Sequence, residues 1–224
     1  MSRRALLAGV CLALLAGSAS AETVINRGND ADPSTLDQQL TTTVQEDRVL
    51  KDLYEGLVAQ DAKGEAIPGA ASSWEVSKDG LTYTFHMREN AKWSNGDPVT
   101  AGDFEFSFRR LMDPKTAAGY ASVFYAIKNA EQIATGKMPV DQLGVKALDD
   151  KTLQITLKDP APYFIQLLTH NTAYPVNPKA VKEYGSKFTQ PGKMISNGAY
   201  ELVSFNPNDK NADAHIRRML ELHP

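Results

Sequence analysis

The side chains that could do chemistry are few in this sequence, and they form no recognised catalytic arrangement. No Gly-x-Ser-x-Gly elbow, phosphate-binding glycine loop, His-Glu-x-x-His or Cys-x-x-Cys motif is present. None of the four histidines, His86, His170, His215 and His223, has metal-ligand spacing from another. The Asp-Asp pair at 149–150 lies between two alternating runs, which is typical of a hairpin turn. We therefore predict no catalytic residue, no metal site and no cofactor.

The N-terminus has the pattern of a cleavable export signal. Arg3 and Arg4 precede an apolar stretch at 5–16, and small residues lead to a predicted cleavage after Ala21. The apolar stretch is too short for a comfortable membrane span. Cys11, the only cysteine, lies within this stretch, so the mature chain would contain no disulfide. Export without disulfides points to a bacterial periplasm.

The composition is that of a mildly acidic protein. Removing the two arginines of the export signal lowers the formal net charge from −3 to −5. There is no basic stripe, which argues against a nucleic-acid partner. The length of 224 residues suits one or two domains with a buried core, and we expect a monomer.

Alternating apolar and polar residues predict a β-hairpin around Asp79-Gly80. Trp74 and Val76 precede this pair, which favours a tight turn because both of its residues tolerate positive φ. Trp74 and Trp93 are assigned to packing, since both fall at positions expected to be buried. After the turn, the residues predicted to face inward are Leu81, Tyr83, Phe85 and Met87.

Two helices are predicted from capping boxes, in which a hydroxyl and a carboxylate satisfy the free amides of a helix start. Thr43 with Glu46 starts one helix, and Thr100 with Asp103 starts another. The segment at 41–44 is β-branched and predicted to be extended. The predicted buried faces are Val49, Leu50, Leu53 and Leu57 in the first helix, and Phe104, Phe108 and Leu111 in the second.

The remaining elements are predicted to be short. One helix is expected to bury Val123, Phe124, Ile127 and Ala130 and to end at Gly136. The remaining predicted elements are a strand at 23–26, the helix just described at 121–134, a hairpin at 145–157, a helix started by Pro160 and Pro162, and strands at 174–176 and 197–202.

Several stretches resemble the peptide-binding family of ABC-importer substrate-binding proteins, especially its oligopeptide-binding branch. They are Asp52-Leu53-Tyr54-Glu55-Gly56-Leu57, Trp74, Thr82-Tyr83-Thr84-Phe85-His86, Lys92-Trp93-Ser94-Asn95-Gly96, Val99-Thr100-Ala101, Asp103-Phe104 and Tyr120-Ala121-Ser122. The resemblance implies an α/β fold like the type II periplasmic binding proteins with an extra domain. It also implies that an oligopeptide is captured in the periplasm and delivered to an inner-membrane ABC permease, with no bond made or broken.

On this resemblance the fold is incomplete, with part of the first lobe and a complete small α+β insert domain. Because the resemblance holds only to Lys210, we expect a truncation or a frameshift there, with the family's second ligand-binding lobe missing. A natural short tail helix is the alternative. The expected segments are a signal peptide at 1–21, the first lobe at 22–54, the insert domain at 55–177, return strands of the first lobe at 178–210, and an off-family tail at 211–224.

The resemblance also implies the residues that bind ligand. Peptides in this family lie extended between the lobes and pair with extended protein backbone. The matching backbone segment and two matching pocket positions give the predicted ligand-binding residues Thr41, Thr42, Thr43, Val44, Tyr120 and His170. A net hydrogen bond is worth roughly 1 kcal/mol, whereas association costs an estimated 4–15 kcal/mol. These contacts alone therefore predict weak peptide binding or none.

Other functions stay open on the sequence alone. Proteins of the resembling family also bind dipeptides, murein peptides, nickel chelates or haem, although the lack of a histidine cluster counts against a metal. A periplasmic hydrolase using two carboxylates outside any motif is the alternative from another class, and turnover of an ester or glycoside panel would reveal it. A product without function is a further alternative, which accumulation in periplasmic extracts would test.

Overall fold

The structure, a computed structural model, describes residues 29–206 and the backbone of a strand at His215–Arg218. The predicted export signal, its cleavage after Ala21 and the strand at 23–26 lie outside the described residues. Within the described part, every helix is too short or too polar to cross a bilayer.

Short helices and strands alternate along the described chain. The α-helices are α1 (Val44–Leu53), α2 (Ala101–Met112), α3 (Ala130–Ala134), α4 (Phe164–Leu167) and α5 (Pro178–Tyr184). The strands are β1 (Val58–Gln60), β2 (Ala66–Pro68), β3 (Ala71–Val76), β4 (Thr82–Met87), β5 (Val145–Ala147), β6 (Thr152–Thr156), β7 (Tyr200–Ser204) and β8 (His215–Arg218). Single 3-10 turns lie at Pro114–Thr116, Ala121–Phe124, Val140–Gln142, Asn171–Ala173 and Gly185–Thr189.

The two predicted hairpins are confirmed, and they join into one antiparallel sheet in the order β3-β4-β6-β5. Phe85 in β4 pairs with Trp74 on one side and with Leu153 on the other. Tyr83, Phe85 and Met87 are buried, as their alternation predicts. The edge strand β3 departs from expectation, because Trp74 is only half-buried and Val76 is exposed. An edge strand has a neighbour on one side only, which leaves these side chains partly uncovered.

Both predicted capping boxes are confirmed. Thr43 accepts from the Glu46 amide and Thr100 from the Asp103 amide, while each carboxylate accepts from the amide of its capping residue. Val44 is already the first residue of α1, so the extended segment ends at Thr43. Leu57 is buried but lies beyond the end of α1 at Leu53.

The predicted single helix at 121–134 is wrong. A 3-10 turn at Ala121–Phe124 and the short helix α3 replace it, although Phe124, Ile127 and Ala130 are buried as predicted. Asn129 adopts a left-handed conformation with φ 68°, and the Lys128 amide donates to Thr156 of β6 at 2.9 Å. Helical hydrogen bonds are thus given up for contacts with the sheet.

The segment after the second hairpin also differs from expectation. The helix predicted after Pro160 and Pro162 is limited to the single turn α4. The strand predicted at 174–176 is absent from the described backbone, where Val176 donates to the Ser107 hydroxyl at 2.9 Å and the Pro175 carbonyl accepts from Gln38 instead of pairing with a strand. Helix α5, which the sequence did not predict, follows directly.

Among the described residues, a large hydrophobic cluster forms the main core, and a smaller one contains Val176, Ala180 and Phe188. The buried side chains of the main core include Leu36, Leu53, Phe85, Phe108 and Leu202, so it is continuous across the predicted domain boundaries at 54/55 and 177/178. Helix α2 packs against β5 and β6 from the centre of this core. The division into a first lobe and an insert domain therefore stays a prediction.

The segment just before the return strand β7 is hydrogen-bonded to the last residue of α1 and to Glu55 beyond it. Asn197 accepts from the Glu55 amide at 3.2 Å and donates to the Glu55 carbonyl at 2.9 Å. Gly198 donates to Leu53 at 2.9 Å, and a Cβ atom there would lie 2.5 Å from the Leu53 carbonyl carbon. The backbone of β8 pairs antiparallel with β7, so the described part of the tail is a strand rather than the alternative tail helix.

Candidate ligand-binding groove

The six predicted ligand-binding residues come together on one groove. Its volume is about 390 Å³. Three separate segments of the chain supply them: the start of α1, the loop before the 3-10 turn at Ala121–Phe124, and the loop after α4. The full lining is Thr41, Thr42, Thr43, Val44, Asp47, Lys51, Gln60, Tyr120, Val123, Gln166, Leu167, Thr169, His170 and Asn171.

The loop that leads into the groove is anchored from behind. Asp37 is buried and receives two hydrogen bonds from Arg110 of α2, at 3.0 and 2.6 Å. Gln38 donates to the Pro175 carbonyl and Gln39 to the Ser107 carbonyl, each at 2.6 Å. A paired, hydrogen-bonded buried charge is costly to break. The entry to the groove wall is therefore held in one position.

Glu46 holds the first wall of the groove, Thr41 to Val44, by hydrogen bonds. The Glu46 carboxylate is buried and accepts from the amides of Thr42 at 2.8 Å and Thr43 at 3.0 Å. Its other oxygen accepts from both the amide and the hydroxyl of Ser34. Burial raises the pKa of Glu46, but the hydrogen bonds from Ser34, Thr42 and Thr43 outweigh burial and bring the pKa below its ordinary value. Glu46 is thus held as a carboxylate.

The second wall is joined to the first by a hydrogen bond across 130 positions of sequence. Asn171 donates its side-chain amide to the Thr41 hydroxyl at 2.8 Å, and that hydroxyl donates to the Gln38 carbonyl at 3.1 Å. Both Asn171 and Thr41 are buried. This link fixes the distance between Thr41 and the neighbouring His170.

Tyr120 and His170 form an aromatic contact over the groove. Their ring centroids are 5.4 Å apart at an interplanar angle of 58°, a favourable tilted arrangement. The Tyr120 hydroxyl lies 3.5 Å from the Thr42 carbonyl, which is the outer limit for a hydrogen bond. His170 accepts from the Thr172 amide through Nδ1 at 3.2 Å, which assigns the proton of the neutral ring to Nε2.

The charged groups beside the rings balance each other. Asp47 and Lys51 form an ion pair of 2.9 Å along α1. Burial lowers the pKa of His170, Asp47 raises it and Lys51 lowers it again, so that it falls below 6.5 and the ring is neutral at pH 7. The groove thus offers hydrogen-bonding groups and aromatic surface with little net charge.

The sequence did not point to several lining residues. Asp47 and Lys51 follow Val44 at helical spacing, so the phase of α1 was a usable signal. Gln60 and Gln166 carried no comparable signal, because they reach the groove only through tertiary packing. Asn171 was adjacent to a predicted residue, but its bond to Thr41 could not be seen in sequence.

The polar groups of the groove belong mainly to backbone, threonine and amide side chains. Among the described residues, no three His, Cys, Asp or Glu side chains are grouped to hold a metal ion. The carboxylate that contacts Thr42 and Thr43, Glu46, is engaged by four hydrogen bonds, so it is not free to act as a general base. The groove is therefore lined by backbone and side-chain hydrogen-bonding groups together with two aromatic rings.

Comparison with known proteins places the chain in a family. Residues 65–212 match the model of the bacterial extracellular solute-binding proteins, family 5, middle region. The chain belongs to this family. Its solved structural neighbours are type II periplasmic peptide-binding proteins, of which it covers about a third, so the α/β fold class is confirmed.

Three relatives show the extent of the similarity. The periplasmic oligopeptide-binding protein OppA of Salmonella typhimurium is 43% identical over 217 residues, which are 91% of this chain and 40% of that protein. The periplasmic murein peptide-binding protein MppA of Escherichia coli is 45% identical over 80% of this chain and 33% of its own length. The structure of Haemophilus influenzae OppA in complex with RPPGFSPFR has a TM-score of 0.78 at 44% identity, over 81% of this chain and 36% of that one.

Proposed function

We propose that this chain forms one wall of the ligand site in a peptide-binding component of an ABC importer. The observation that carries the proposal is the convergence of Thr41–Val44, Tyr120 and His170 on a single groove. The chain spans about two fifths or less of the relatives named above, so the complete transport activity is part of the proposal. The similarity to two oligopeptide-binding proteins supports peptide as the ligand class.

The chemistry of the groove suits an extended peptide. Neutral hydrogen-bonding groups of backbone and side chain line it together with aromatic surface, a combination that can accept peptide main chain with little regard to side-chain charge. Because few contacts are available from one wall, we expect an affinity in the millimolar range or weaker.

A titration followed by NMR tests the proposal at such affinities. A pool of tri- to pentapeptides at millimolar concentration should shift the resonances of Thr42, Thr43 and His170. Val44 is exposed and lines the groove, so Val44→Trp should block it and abolish the shifts. Val76→Trp is the matched control, since Val76 is also exposed but lies at a separate depression.

Two outcomes would contradict the proposal. One is the absence of any shift at the groove in the wild-type chain, and the other is an equal response in Val44→Trp and wild type. A submicromolar dissociation constant would leave peptide binding intact but overturn the expected weakness of a single wall.

The proposed site of action is the periplasm, with an inner-membrane permease as partner and a monomeric state. The named relatives from Salmonella and Escherichia coli are periplasmic proteins, and the export signal predicted at 1–21 supports the same location. Detection of the mature chain in periplasmic extracts, beginning at Glu22, would test both the compartment and the cleavage site.

Murein peptide is a second candidate ligand. The relative that carries this activity in its name is 45% identical over 181 residues, compared with 43% over 217 residues for OppA of Salmonella typhimurium. Side-by-side NMR titrations with a murein tripeptide and with trialanine would separate the two. Selective response to the murein peptide would favour this candidate, whereas equal response favours main-chain recognition.

A further inference from the structure

The tripeptide Ser-Asn-Gly occurs twice in this chain, at 94–96 and at 196–198. The two copies contact each other, although 102 positions separate their serines. The Ser94 amide donates to the Ser196 carbonyl at 2.7 Å, and the Ser196 amide donates to the Ser94 hydroxyl at 3.2 Å. The same three residues therefore lie side by side, and any difference in their reactivity comes from their surroundings.

An Asn-Gly bond is a site of spontaneous deamidation. The glycine nitrogen attacks Cγ of the asparagine, the bond from Cγ to Nδ2 breaks, and ammonia leaves with the proton of the glycine amide. Water then opens the resulting succinimide ring and yields aspartate or isoaspartate, so water is the only co-reactant. Glycine favours ring closure because it has no Cβ to hinder it. The reaction needs an asparagine side chain that can turn towards the next nitrogen, and it needs access of water.

The second copy meets neither requirement. Glu55 holds both polar atoms of the Asn197 side chain: Oδ1 accepts from its amide at 3.2 Å and Nδ2 donates to its carbonyl at 2.9 Å. Asn197 and Gly198 are buried, and the Gly198 amide donates to the Leu53 carbonyl at 2.9 Å. Rotation of the Asn197 side chain would leave buried polar groups without partners. This side chain is therefore fixed away from water.

The first copy lies at the surface. Asn95 and Gly96 are both exposed. The Asn95 side chain accepts from the Asp97 amide and donates to the Asp97 carboxylate, each at 3.1 Å, and both hydrogen bonds are exposed. The Gly96 amide donates to the Trp93 carbonyl at 2.8 Å within the same turn. Water can replace these surface hydrogen bonds when the turn opens, so the cost of freeing the side chain is small.

We propose that Asn95 is a deamidation site of the folded chain, and that Asn197, in the same tripeptide, is protected by Glu55 and by burial. The product has a new carboxylate beside Asp97, which pairs with Lys179 at 2.8 Å. In the isoaspartate form the main chain runs through the side chain of residue 95 and is one carbon longer. The altered turn then no longer holds Ser94 against 196–198, and that link is lost. This inference is independent of the proposed function.

Peptide mapping of the full chain tests the site. Cleavage with trypsin places the two asparagines in separate peptides, 93–109 and 194–210. The folded chain is incubated at mildly alkaline pH, and both peptides are followed over time by mass spectrometry with fragmentation. Asn95 should convert at least about tenfold faster than Asn197, because reaction at Asn197 requires opening of the core. In concentrated urea the two sites should react at similar rates, since the tripeptides are identical.

A matched pair of turn variants tests the part played by Asp97. Asp97→Ala removes both hydrogen-bond partners of the Asn95 side chain except the main-chain amide, so it should accelerate conversion of Asn95 and leave Asn197 unchanged. Asp79→Ala is the control, because Asp79 is likewise exposed and accepts from the Leu81 amide in another turn. It should change neither rate. Conversion of Asn197 in the same samples reports any general unfolding.

Hydrogen exchange at Ser94 tests the structural consequence. The isoaspartate fraction, separated by ion exchange, should exchange its Ser94 amide faster than the unmodified chain. Asn95→Asp, which adds the charge but keeps the normal main chain, should retain slow exchange. Equal conversion of the two asparagines in the folded chain, or an Asn95 that reacts only in urea, would overturn the proposed site. Slow exchange of Ser94 in the isoaspartate fraction would overturn the loss of the link.

Discussion

The starts of α1 and α2 have the same capping chemistry, but the first lies on the groove and the second lies against the core. Thr43 and Thr100 have nearly equal backbone angles, φ −124° and ψ 156° against φ −117° and ψ 161°. Each hydroxyl accepts from the amide three residues on, and each carboxylate, Glu46 or Asp103, accepts in return. The motif is therefore one local solution used twice.

An aromatic residue accompanies each box, and here the two differ. Trp93 is buried and donates its indole N–H to Asp103 at 3.0 Å. Tyr120 is 38% exposed, and its hydroxyl reaches only the Thr42 carbonyl at 3.5 Å. The capping box of α2 packs into the core through Trp93. The capping box of α1 instead leaves the Thr42 carbonyl and the Tyr120 ring on the groove. The lesson is that a capping box fixes the helix start, while its neighbours decide whether the site is structural or binding.

Replacing the two carboxylates should show this difference most strongly. Asp103→Ala removes the cap and leaves the buried Trp93 N–H without its acceptor, so we expect a loss of about 2–4 kcal/mol in unfolding free energy. Urea denaturation followed by tryptophan fluorescence measures it. Asp103→Ala should leave the peptide-induced shifts at Thr42 in place, whereas Glu46→Ala should remove them. Loss of the Thr42 response in Asp103→Ala would break the comparison.

Local sequence signals were sufficient for both boxes. A threonine three positions before a carboxylate and an apolar periodic run are contained within one helical turn and its continuation, so Thr43 and Thr100 could be assigned without knowledge of the fold. The hairpin around Asp79-Gly80 was predictable for the same reason: its turn and its alternation are local.

Tertiary contacts explain where the sequence failed. Asn129 is left-handed at the place where the Lys128 amide bonds to β6, a contact whose partner is distant in sequence. The Val176 amide and the Pro175 carbonyl are satisfied by Ser107 and Gln38 instead of by a sheet. The link from Asn171 to Thr41 is equally non-local. Family resemblance supplied the groove residues, but not the commitment of the Thr42 and Thr43 amides to Glu46.

Acid should reduce the stability that the Glu46 capping box gives to the folded chain, and a variant without a titrating group at position 46 should lack this effect. The pKa of Glu46 in the folded chain lies below its ordinary value of 4.5. The unfolded chain therefore takes up the proton first as the pH falls. The stability from ionised Glu46 is fully present above pH 4.5 and is lost as the pH falls through the lower pKa of the folded chain.

Urea midpoints measured across this range for wild type and Glu46→Gln test the effect. The wild-type unfolding free energy should fall more steeply below pH 4.5, by up to about 1.4 kcal/mol per pH unit for one proton. Parallel pH profiles for the two proteins would contradict a carboxylate held ionised by Ser34, Thr42 and Thr43.

The smallest effect is expected at the aromatic partner of the first box. Tyr120→Phe removes a hydroxyl that contacts Thr42 at 3.5 Å and is accessible to water, so the unfolding free energy should change by less than about 0.5 kcal/mol. The ring contact with His170 is retained. If the Thr42 carbonyl serves the ligand, loss of this competing hydroxyl should leave peptide affinity equal or slightly higher. A several-fold loss of affinity in Tyr120→Phe would show instead that the hydroxyl itself binds the ligand, and the acceptor on this wall would then need to be sought elsewhere.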